Sequence, residues 1–278
     1  MDVVSQSVPP AYGRVDVGNN VFLHYQRYAS KEARPCFVLL HSLAMDHSFW
    51  RLVAPRLASH GSVICLDIRG HGKSDKPSGP YSINLFARDA ARVAKALGHD
   101  KVIAAGASMG GCIALQLAID YPDLVRGLGL IDTTAFYGQT APQDWAERAA
   151  KAQAEGLPSL FGFQATRWFS DSFRAEHDNI LENCMDIFVR NDLSAYTATC
   201  NALGSFDARD GLKGLDLPTA IVVGEQDMAT TPAMAEDLHK AIKSSSLTVI
   251  PGARHLTPLE TPETIVDVLL DLAHRANQ

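Results

Sequence analysis

Gly106-Ala107-Ser108-Met109-Gly110-Gly111 follows the short apolar run Val102 to Ala105 and opens a longer helix-like stretch, Gly110 to Tyr121. A chain that reverses sharply between strand and helix crowds its own neighbours. The residues two before and two after the serine of a G-x-S-x-G turn must therefore lack bulk, and Gly106 and Gly110 meet that demand. Such a turn exposes the serine hydroxyl. The helix behind it aims its unpaired amide groups at an oxygen that the serine has attacked. The short motif also occurs by chance, so the rest of the chain has to carry the reading.

Outward from this corner the chain alternates. Cys36 to Leu40, Ser62 to Leu66, Leu128 to Ile131, Thr219 to Val223 and Leu247 to Ile250 are short apolar runs without polar alternation, as strands buried on both faces read. Between them lie helix-like segments with apolar residues three and four apart: Phe49 to Ser59, Leu85 to Leu97, Ala233 to Ile242 and Pro262 to Ala273, the last preceded by Thr261 as N-cap. Arg14 to Val17 and Val21 to Tyr25 flank Gly18-Asn19-Asn20, which predicts an antiparallel hairpin at the sheet edge. Alternating strand and helix predict an α/β fold, a mostly parallel sheet with helices on both faces. From about 136 to 212 no buried strand is legible. Gln143 to Ala154, Pro158 to Phe169 and Ala175 to Val189 read instead as amphipathic helices. The chain thus divides into core residues 1–135, a helical cap over 136–212 and a second core part over 213–278, the cap lying above the carboxyl edge where such sheets bind ligands.

A serine hydroxyl is a poor nucleophile at neutral pH and needs a histidine to take its proton and an acid to orient that imidazole. In folds of this type the order along the chain is serine, acid, histidine, each on a loop leaving a strand's carboxyl end. Thr219 to Val223 leads to Asp227, and Leu247 to Ile250 leads to His255. Read singly, Asp227 fits a turn or cap and His255 a surface loop. Order, strand ends and elbow together make Ser108, Asp227 and His255 a triad. Asp132, after the strand that follows the elbow, and Glu225, on the Asp227 loop, are lesser candidates for the acid. The oxyanion hole needs two main-chain N–H donors. Met109, at the helix start, supplies one. Leu43, in His41-Ser42-Leu43-Ala44 after the first buried strand, supplies the other, with His41 and Ser42 shaping that loop. Asp67-Ile68-Arg69-Gly70-His71-Gly72-Lys73-Ser74 lacks the spacing of a phosphate loop and reads as a tight structural turn.

Among 278 residues, 46% are hydrophobic and 20% charged, enough for a large core; the formal net charge of -6 and the absence of a dense Lys/Arg run argue against nucleic acid or an anionic membrane as partner. Met1 to Gly18 is polar and has no signal-peptide core, and no apolar run reaches membrane-spanning length, so a cytoplasmic protein with a small-molecule substrate is expected. The five cysteines, Cys36, Cys65, Cys112, Cys184 and Cys200, are scattered, suggest no zinc site and read as buried small hydrophobes. Monomer and homo-oligomer both stay open.

The ordered set His41-Ser42-Leu43, Asp67-x-Arg69-Gly70-His71-Gly72-x-Ser74, the Ser108 elbow, Gly224-x-x-Asp227 and Gly252-x-x-His255 resembles the α/β-hydrolase family over nearly the whole chain. Within it the chain is similar to 3-oxoadipate enol-lactonases and related small-molecule esterases, on His41-Ser42-Leu43, Ser108-Met109-Gly110-Gly111, Arg167-Trp168-Phe169, Tyr196 and Phe206-Asp207-Ala208-Arg209. His41 stands where the enol-lactonases often carry asparagine, and Ala44 where they often carry glycine. The resemblance implies hydrolysis of a small carboxylic ester or lactone, such as 3-oxoadipate enol-lactone, through an acyl-enzyme, with no metal and no organic cofactor. In the cap, Trp168 is a candidate to cover the acyl group and Arg167 to pair with a substrate carboxylate, although tryptophan usually serves a core and arginine a solvated surface. Two other readings remain: carbon-carbon hydrolysis of a diketone-like ring-cleavage product, and a non-catalytic ligand-binding member of the fold.

Overall fold

The turn Gly18-Asn19-Asn20 carries three successive positive φ angles, 98°, 59° and 56°, in the computed structural model, which describes residues 9–30 and 35–278. Glycine and asparagine enter this region at the least steric cost. The turn lets β1 (Ala11–Asp16) pair antiparallel with β2 (Phe22–Tyr28), from Ala11 opposite Arg27 to Asp16 opposite Phe22. Residues 1–8 of the polar N-terminal stretch lie outside the described residues.

Six further strands complete an eight-stranded sheet among the described residues: β3 (Cys36–Leu40), β4 (Ser62–Leu66), β5 (Val102–Ala107), β6 (Val125–Ile131), β7 (Thr219–Gly224) and β8 (Ser245–Ile250). Their order is β1-β2-β4-β3-β5-β6-β7-β8, parallel from β4 onward. β3, β4, β5 and β7 are buried along their whole length, as unbroken apolar runs require when helices cover both faces. β8 departs from the expectation. It is the last strand of the sheet and only half-buried, with Val249 42% exposed, because one edge has no neighbouring strand among the described residues.

The helices are α1 (Ala54–Leu57), α2 (Ile83–Ala96), α3 (Met109–Asp120), α4 (Ala141–Glu155), α5 (Pro158–Trp168), α6 (Asp171–Glu176), α7 (Asp178–Val189), α8 (Leu193–Gly204), α9 (Arg209–Leu212), α10 (Pro232–Ala241), α11 (Thr257–Glu260) and α12 (Pro262–Arg275). Three expectations give way here. Phe49 to Ser59 is a 3-10 turn, His47–Trp50, capped by the Asp46 side chain, followed by α1, because Pro55 has no N–H with which to continue the first helix. Ala175 to Val189 breaks at His177, whose ring stacks on Phe173 at 4.1 Å while its Nδ1 lies 3.2 Å from the Phe173 carbonyl oxygen. Thr261 stands at the start of α12, but its hydroxyl donates back to the Thr257 carbonyl instead of capping.

Helices α4 to α9 all lie between β6 and β7. The two ends of this insertion meet in a single bridge, Phe136 opposite Asp207, with the Ala208 N–H donating to the Ala135 carbonyl at 2.9 Å. Among the described residues no helix is long and apolar enough to cross a membrane.

The candidate active site

Neighbouring β3 and β5 send their chains away in opposite directions, and at their carboxyl ends, where Leu40 lies opposite Gly106, the sheet opens a crevice. Ser108 stands at this point with φ 54° and ψ −118°, a conformation that costs on the order of 1–3 kcal/mol for a residue with a side chain. The surroundings hold it there. Its N–H donates to the Ile131 carbonyl at 2.9 Å, its carbonyl accepts from the Thr133 hydroxyl at 2.7 Å and from the Gly111 N–H at 2.9 Å, and α3 begins at the next residue. A Cβ on Gly106 would collide with the Gly110 carbonyl, and one on Gly110 with the Leu40 carbonyl. Both neighbours are backbone and have little room to yield. The small-residue pattern of the sequence is therefore a requirement for closing the turn.

His255, on the loop after β8, and Asp227, on the loop after β7, converge on this serine. The His255 Nε2 is 2.9 Å from the Ser108 Oγ, and its Nδ1 is 2.8 Å from the Asp227 Oδ2. A carboxylate facing Nδ1 fixes the proton there and leaves Nε2 free to accept from the hydroxyl. Asp227 is itself pinned: its Oδ1 accepts from the Ala229 and Thr230 N–H groups at 2.7 and 3.0 Å, and its Oδ2 from the Thr230 hydroxyl at 2.9 Å. Burial alone would raise this carboxyl, but the His255 charge and these hydrogen bonds hold it below the ordinary aspartate range. Ser108, Asp227 and His255 are all buried, at 8%, 3% and 5% exposure, so their mutual hydrogen bonds are sheltered from water.

The lesser acid candidates occupy other places. Asp132 braces the floor, accepting from the Gly224 and Thr257 N–H groups at 3.2 and 3.0 Å and from the Thr257 hydroxyl at 2.7 Å. Complete burial and then the charge of Asp227 push it well above the usual range, which favours its neutral form. Glu225 accepts from the Gly252 N–H at 2.9 Å on the exposed side of the loop.

The loop after β3 brings Ser42 and Leu43 to the floor of the cavity that holds Ser108. Met109 follows Ser108 as the first residue of α3 and is fully buried. Among the described residues neither the Leu43 nor the Met109 N–H has a protein acceptor. His41 is wholly buried and serves as a brace, its Nδ1 2.8 Å from the Ser42 carbonyl oxygen and its Nε2 accepting the Ile68 N–H at 3.0 Å. Burial keeps it neutral. Behind it, Asp67 gathers four donors: the His47 N–H and Nδ1 on one oxygen at 2.6 and 2.9 Å, and the His24 Nδ1 and Lys73 N–H on the other at 2.8 and 2.9 Å. His24, His47 and Asp67 place potential metal-binding atoms within 4.8 Å of one another, but the carboxylate's lone pairs are already used in tying the Asp67–Ser74 turn to β2 and to the His47–Trp50 turn.

A cavity of about 560 Å³ opens above Ser108, floored by Ser42, Leu43, Ser108 and His255 and walled by α4 and α5. Trp168 and Arg167 both line it. Trp168 is buried with its ring edge-on to Phe188 at 5.5 Å, and Arg167 donates to the Met228 carbonyl at 2.7 Å. Sequence reasoning missed Tyr137, Arg148 and Gln164 on the same walls. Arg148 donates to the Tyr196 hydroxyl at 2.8 Å, lies over the Trp145 ring at 5.0 Å and has no carboxylate partner among the described residues. Burial and then the Arg148 charge lower the pKa of Arg167, as expected where two guanidinium groups face one space. Tyr137 sits over Cys112, its hydroxyl 3.6 Å from the thiol, and burial pushes the phenol well above its ordinary range. Leu160, Gln164 and Trp168 share one face at four-residue spacing, so Gln164 was a polar residue in an apolar stripe. That signal was available in the sequence.

A strand-helix elbow, a Ser-His-Asp relay and an insertion between β6 and β7 define the architecture of one class of protein. The sequence profile of the alpha/beta hydrolase fold family matches residues 35–262, and the chain belongs to that family. It is 30% identical over 244 residues to 3-oxoadipate enol-lactonase 2 of Acinetobacter baylyi, covering 88% of this chain and 90% of that one. Among solved structures it resembles the enol-lactonase from Burkholderia xenovorans LB400 with a TM-score of 0.88 at 30% identity, over 95% of this chain and 99% of the other. It also resembles a thermophilic esterase from Thermogutta terrifontis, solved with malate bound, with a TM-score of 0.89 at 25% identity, over 96% and 100% of the two chains.

Proposed function

We propose that this chain is a serine hydrolase that cleaves a small-molecule carboxylic ester or lactone, with residues 136–212 forming a cap over the site. The observation that carries this reading is the buried relay from the Asp227 carboxylate through His255 to the Ser108 hydroxyl, at 2.8 and 2.9 Å, at the floor of the cavity. His255 takes the serine proton as Oγ attacks the carbonyl carbon, and Asp227 stabilises the imidazolium. The Leu43 and Met109 N–H groups, which have no protein acceptor among the described residues, receive the charge that develops on the carbonyl oxygen. His255 returns the proton to the departing alcohol oxygen. Water, deprotonated by the same imidazole, then releases the acid and restores the serine.

The cavity favours a substrate with an anionic group. Asp144 and Glu147 also line it, but they accept from Thr140 and Gln143, so Arg148 and Arg167 stand there without a carboxylate partner among the described residues, and a guanidinium binds a carboxylate through paired hydrogen bonds. The enol-lactonase relatives support lactone hydrolysis as the leading case.

The test compares wild type with Ser108→Ala on p-nitrophenyl esters, aliphatic lactones and diketone ring-cleavage products, alongside labelling by an active-site phosphonate. Ester or lactone turnover and phosphonate labelling, both lost in Ser108→Ala, are expected. Turnover of the diketones alone would move the chain to carbon-carbon hydrolysis. Absence of both turnover and labelling would mark a binding protein.

A further inference from the structure

The loop that carries His255 leaves β8, the last strand of the sheet, so among the described residues a strand supports it on one side only. Toward β7, the Gln226 N–H donates to the Ala253 carbonyl at 2.9 Å and the Gly252 N–H to Glu225 at 2.9 Å. The cap supplies the other side. Helix α5 ends at Trp168, whose side chain lines the cavity above Ser108, and the chain turns through Phe169 and Ser170 into α6. The last carbonyls of a helix have no partner inside it. Here the residues on either side of His255 take them: Arg254 Nη1 donates to the Thr166 carbonyl at 2.7 Å and to the Phe169 carbonyl at 3.0 Å, and the Leu256 N–H donates to the Trp168 carbonyl at 3.0 Å. The same Nη1 lies 2.9 Å from Asp171 Oδ1. Glu260, at the end of α11, completes the clasp, its two oxygens accepting the Arg254 N–H at 3.0 Å and the Ser170 N–H at 3.1 Å.

We propose that Arg254 and Glu260 are positioning residues for His255: they bind the corner between α5 and α6 to the peptide groups that flank the imidazole, so that seating the cap and aiming Nε2 at Ser108 are one event. The inference rests on reading His255 as the base of a serine hydrolase. The imidazole has to keep Ser108 at 2.9 Å on one side and Asp227 at 2.8 Å on the other, and a misplacement of about 1 Å in a reacting group costs up to about 10²-fold in rate. Both anchors are charged groups on main-chain partners, the stronger kind of hydrogen bond, and the cation stands at the carboxyl end of α5, where the helix dipole favours it. Neither residue lines the cavity, so their effect reaches the reaction through His255 and not through substrate contact. The Trp168 carbonyl belongs to a residue that does line it. A ligand that moves Trp168 therefore moves the acceptor of the Leu256 N–H, which ties filling of the cavity to the aim of the base.

Arg254→Met removes the donors while keeping an unbranched side chain, and Glu260→Gln turns an NH2 toward one of the two N–H groups. In both, kcat for p-nitrophenyl butyrate is expected to fall about ten- to hundredfold with KM within about threefold, and phosphonate labelling of Ser108 to slow by a similar factor. Arg254→Lys, with three donors on one nitrogen, falls between wild type and Arg254→Met. A second readout needs no turnover: the downfield proton resonance of His255 Nδ1–H, shared with Asp227, shifts or broadens in Arg254→Met. Arg275→Met is the control for a structural arginine. Arg275 donates to the Ser246 hydroxyl at 3.1 Å and to the Thr219 carbonyl, at the amino end of β7 and far from His255, so its loss lowers the melting temperature and leaves kcat and the resonance as they were. Unchanged kcat and resonance in Arg254→Met and Glu260→Gln, a loss expressed in KM alone, or a loss that Arg275→Met matches overturns the proposal. Absence of turnover and labelling in the wild type would strike the hydrolase reading instead, and the resonance would then decide whether Arg254 holds the imidazole.

Discussion

Asp227→Asn changes one atom and, by the geometry of the site, one proton. The Ala229 and Thr230 N–H groups both point at Oδ1, at 2.7 and 3.0 Å, so the asparagine carbonyl must take that position and its NH2 must take the Oδ2 position. The NH2 then faces His255 Nδ1, where the carboxylate lay at 2.8 Å. A donor facing Nδ1 drives the imidazole proton to Nε2, and Nε2 can no longer accept the proton of Ser108, 2.9 Å away. Loss of the negative charge also removes the stabilisation of the imidazolium. In the chymotrypsin-type triad the equivalent change, with geometry intact, costs about 10⁴ in kcat. A loss of about 10³–10⁴ is expected here, about 4–5.5 kcal/mol on the barrier. The comparison variant is Asp132→Asn. Its NH2 would oppose the Thr257 N–H or the Gly224 N–H, so it should cost stability of about 1–3 kcal/mol while leaving kcat within about threefold. Steady-state hydrolysis of p-nitrophenyl butyrate and urea melts of both variants provide the measurement. An Asp227→Asn enzyme within tenfold of wild type, with Asp132→Asn the crippled one, would refute the argument and move the acid to β6.

The elbow should be intolerant of a single methyl group. Gly110→Ala drives a Cβ into the Leu40 carbonyl, so urea melts should show a loss of at least about 1–3 kcal/mol at an unchanged m-value, together with reduced labelling of Ser108; a wild-type midpoint would mean that the turn relaxes freely. Acid should weaken the fold through its buried neutral histidines. Burial, helped by His41, pulls His71 down to about 3, whereas an unfolded histidine titrates near 6.5, so between these values the unfolded chain holds the extra proton. Stability is therefore full above about pH 6.5 and falls toward pH 3 by up to about 1.4 kcal/mol per pH unit for each such histidine. His41, also lowered by burial, adds in the same direction; His47, held up by Asp67 against its own burial, opposes it. His71→Asn should flatten the slope of unfolding free energy between pH 7 and 5, and an unaltered slope would remove His71 from this account.

How much of this was legible in the chain depends on the range of the interaction that fixes each part. The Ser108 elbow, the hairpin turn and the buried strands follow from steric and burial rules acting within a few residues, and these were readable. The places of Asp227 and His255 were readable for a related reason. A parallel sheet sends every strand's carboxyl end to one edge, so order along the chain becomes neighbourhood in space. The edge exposure of β8, the break at His177 and the true hydrogen bond of Thr261 were not, since each depends on what packs beside it. The same holds for Asp132 against Asp227. Both follow strands of the core, and only distance separates the brace from the partner of His255. The cavity wall is the extreme case: on helices α4 and α5 the sequence gives a face but not what that face meets. Arg148 and Gln164 drew no reading from the sequence, and only the fold brings both to the cavity that holds Ser108. The sequence alone determined the family, the chain order of the relay and the steric need for small residues around Ser108, because local backbone geometry and strand order encode them. The tertiary structure alone decided which acid faces His255 and which polar groups wait in the cavity, because those depend on contacts between segments far apart in the chain.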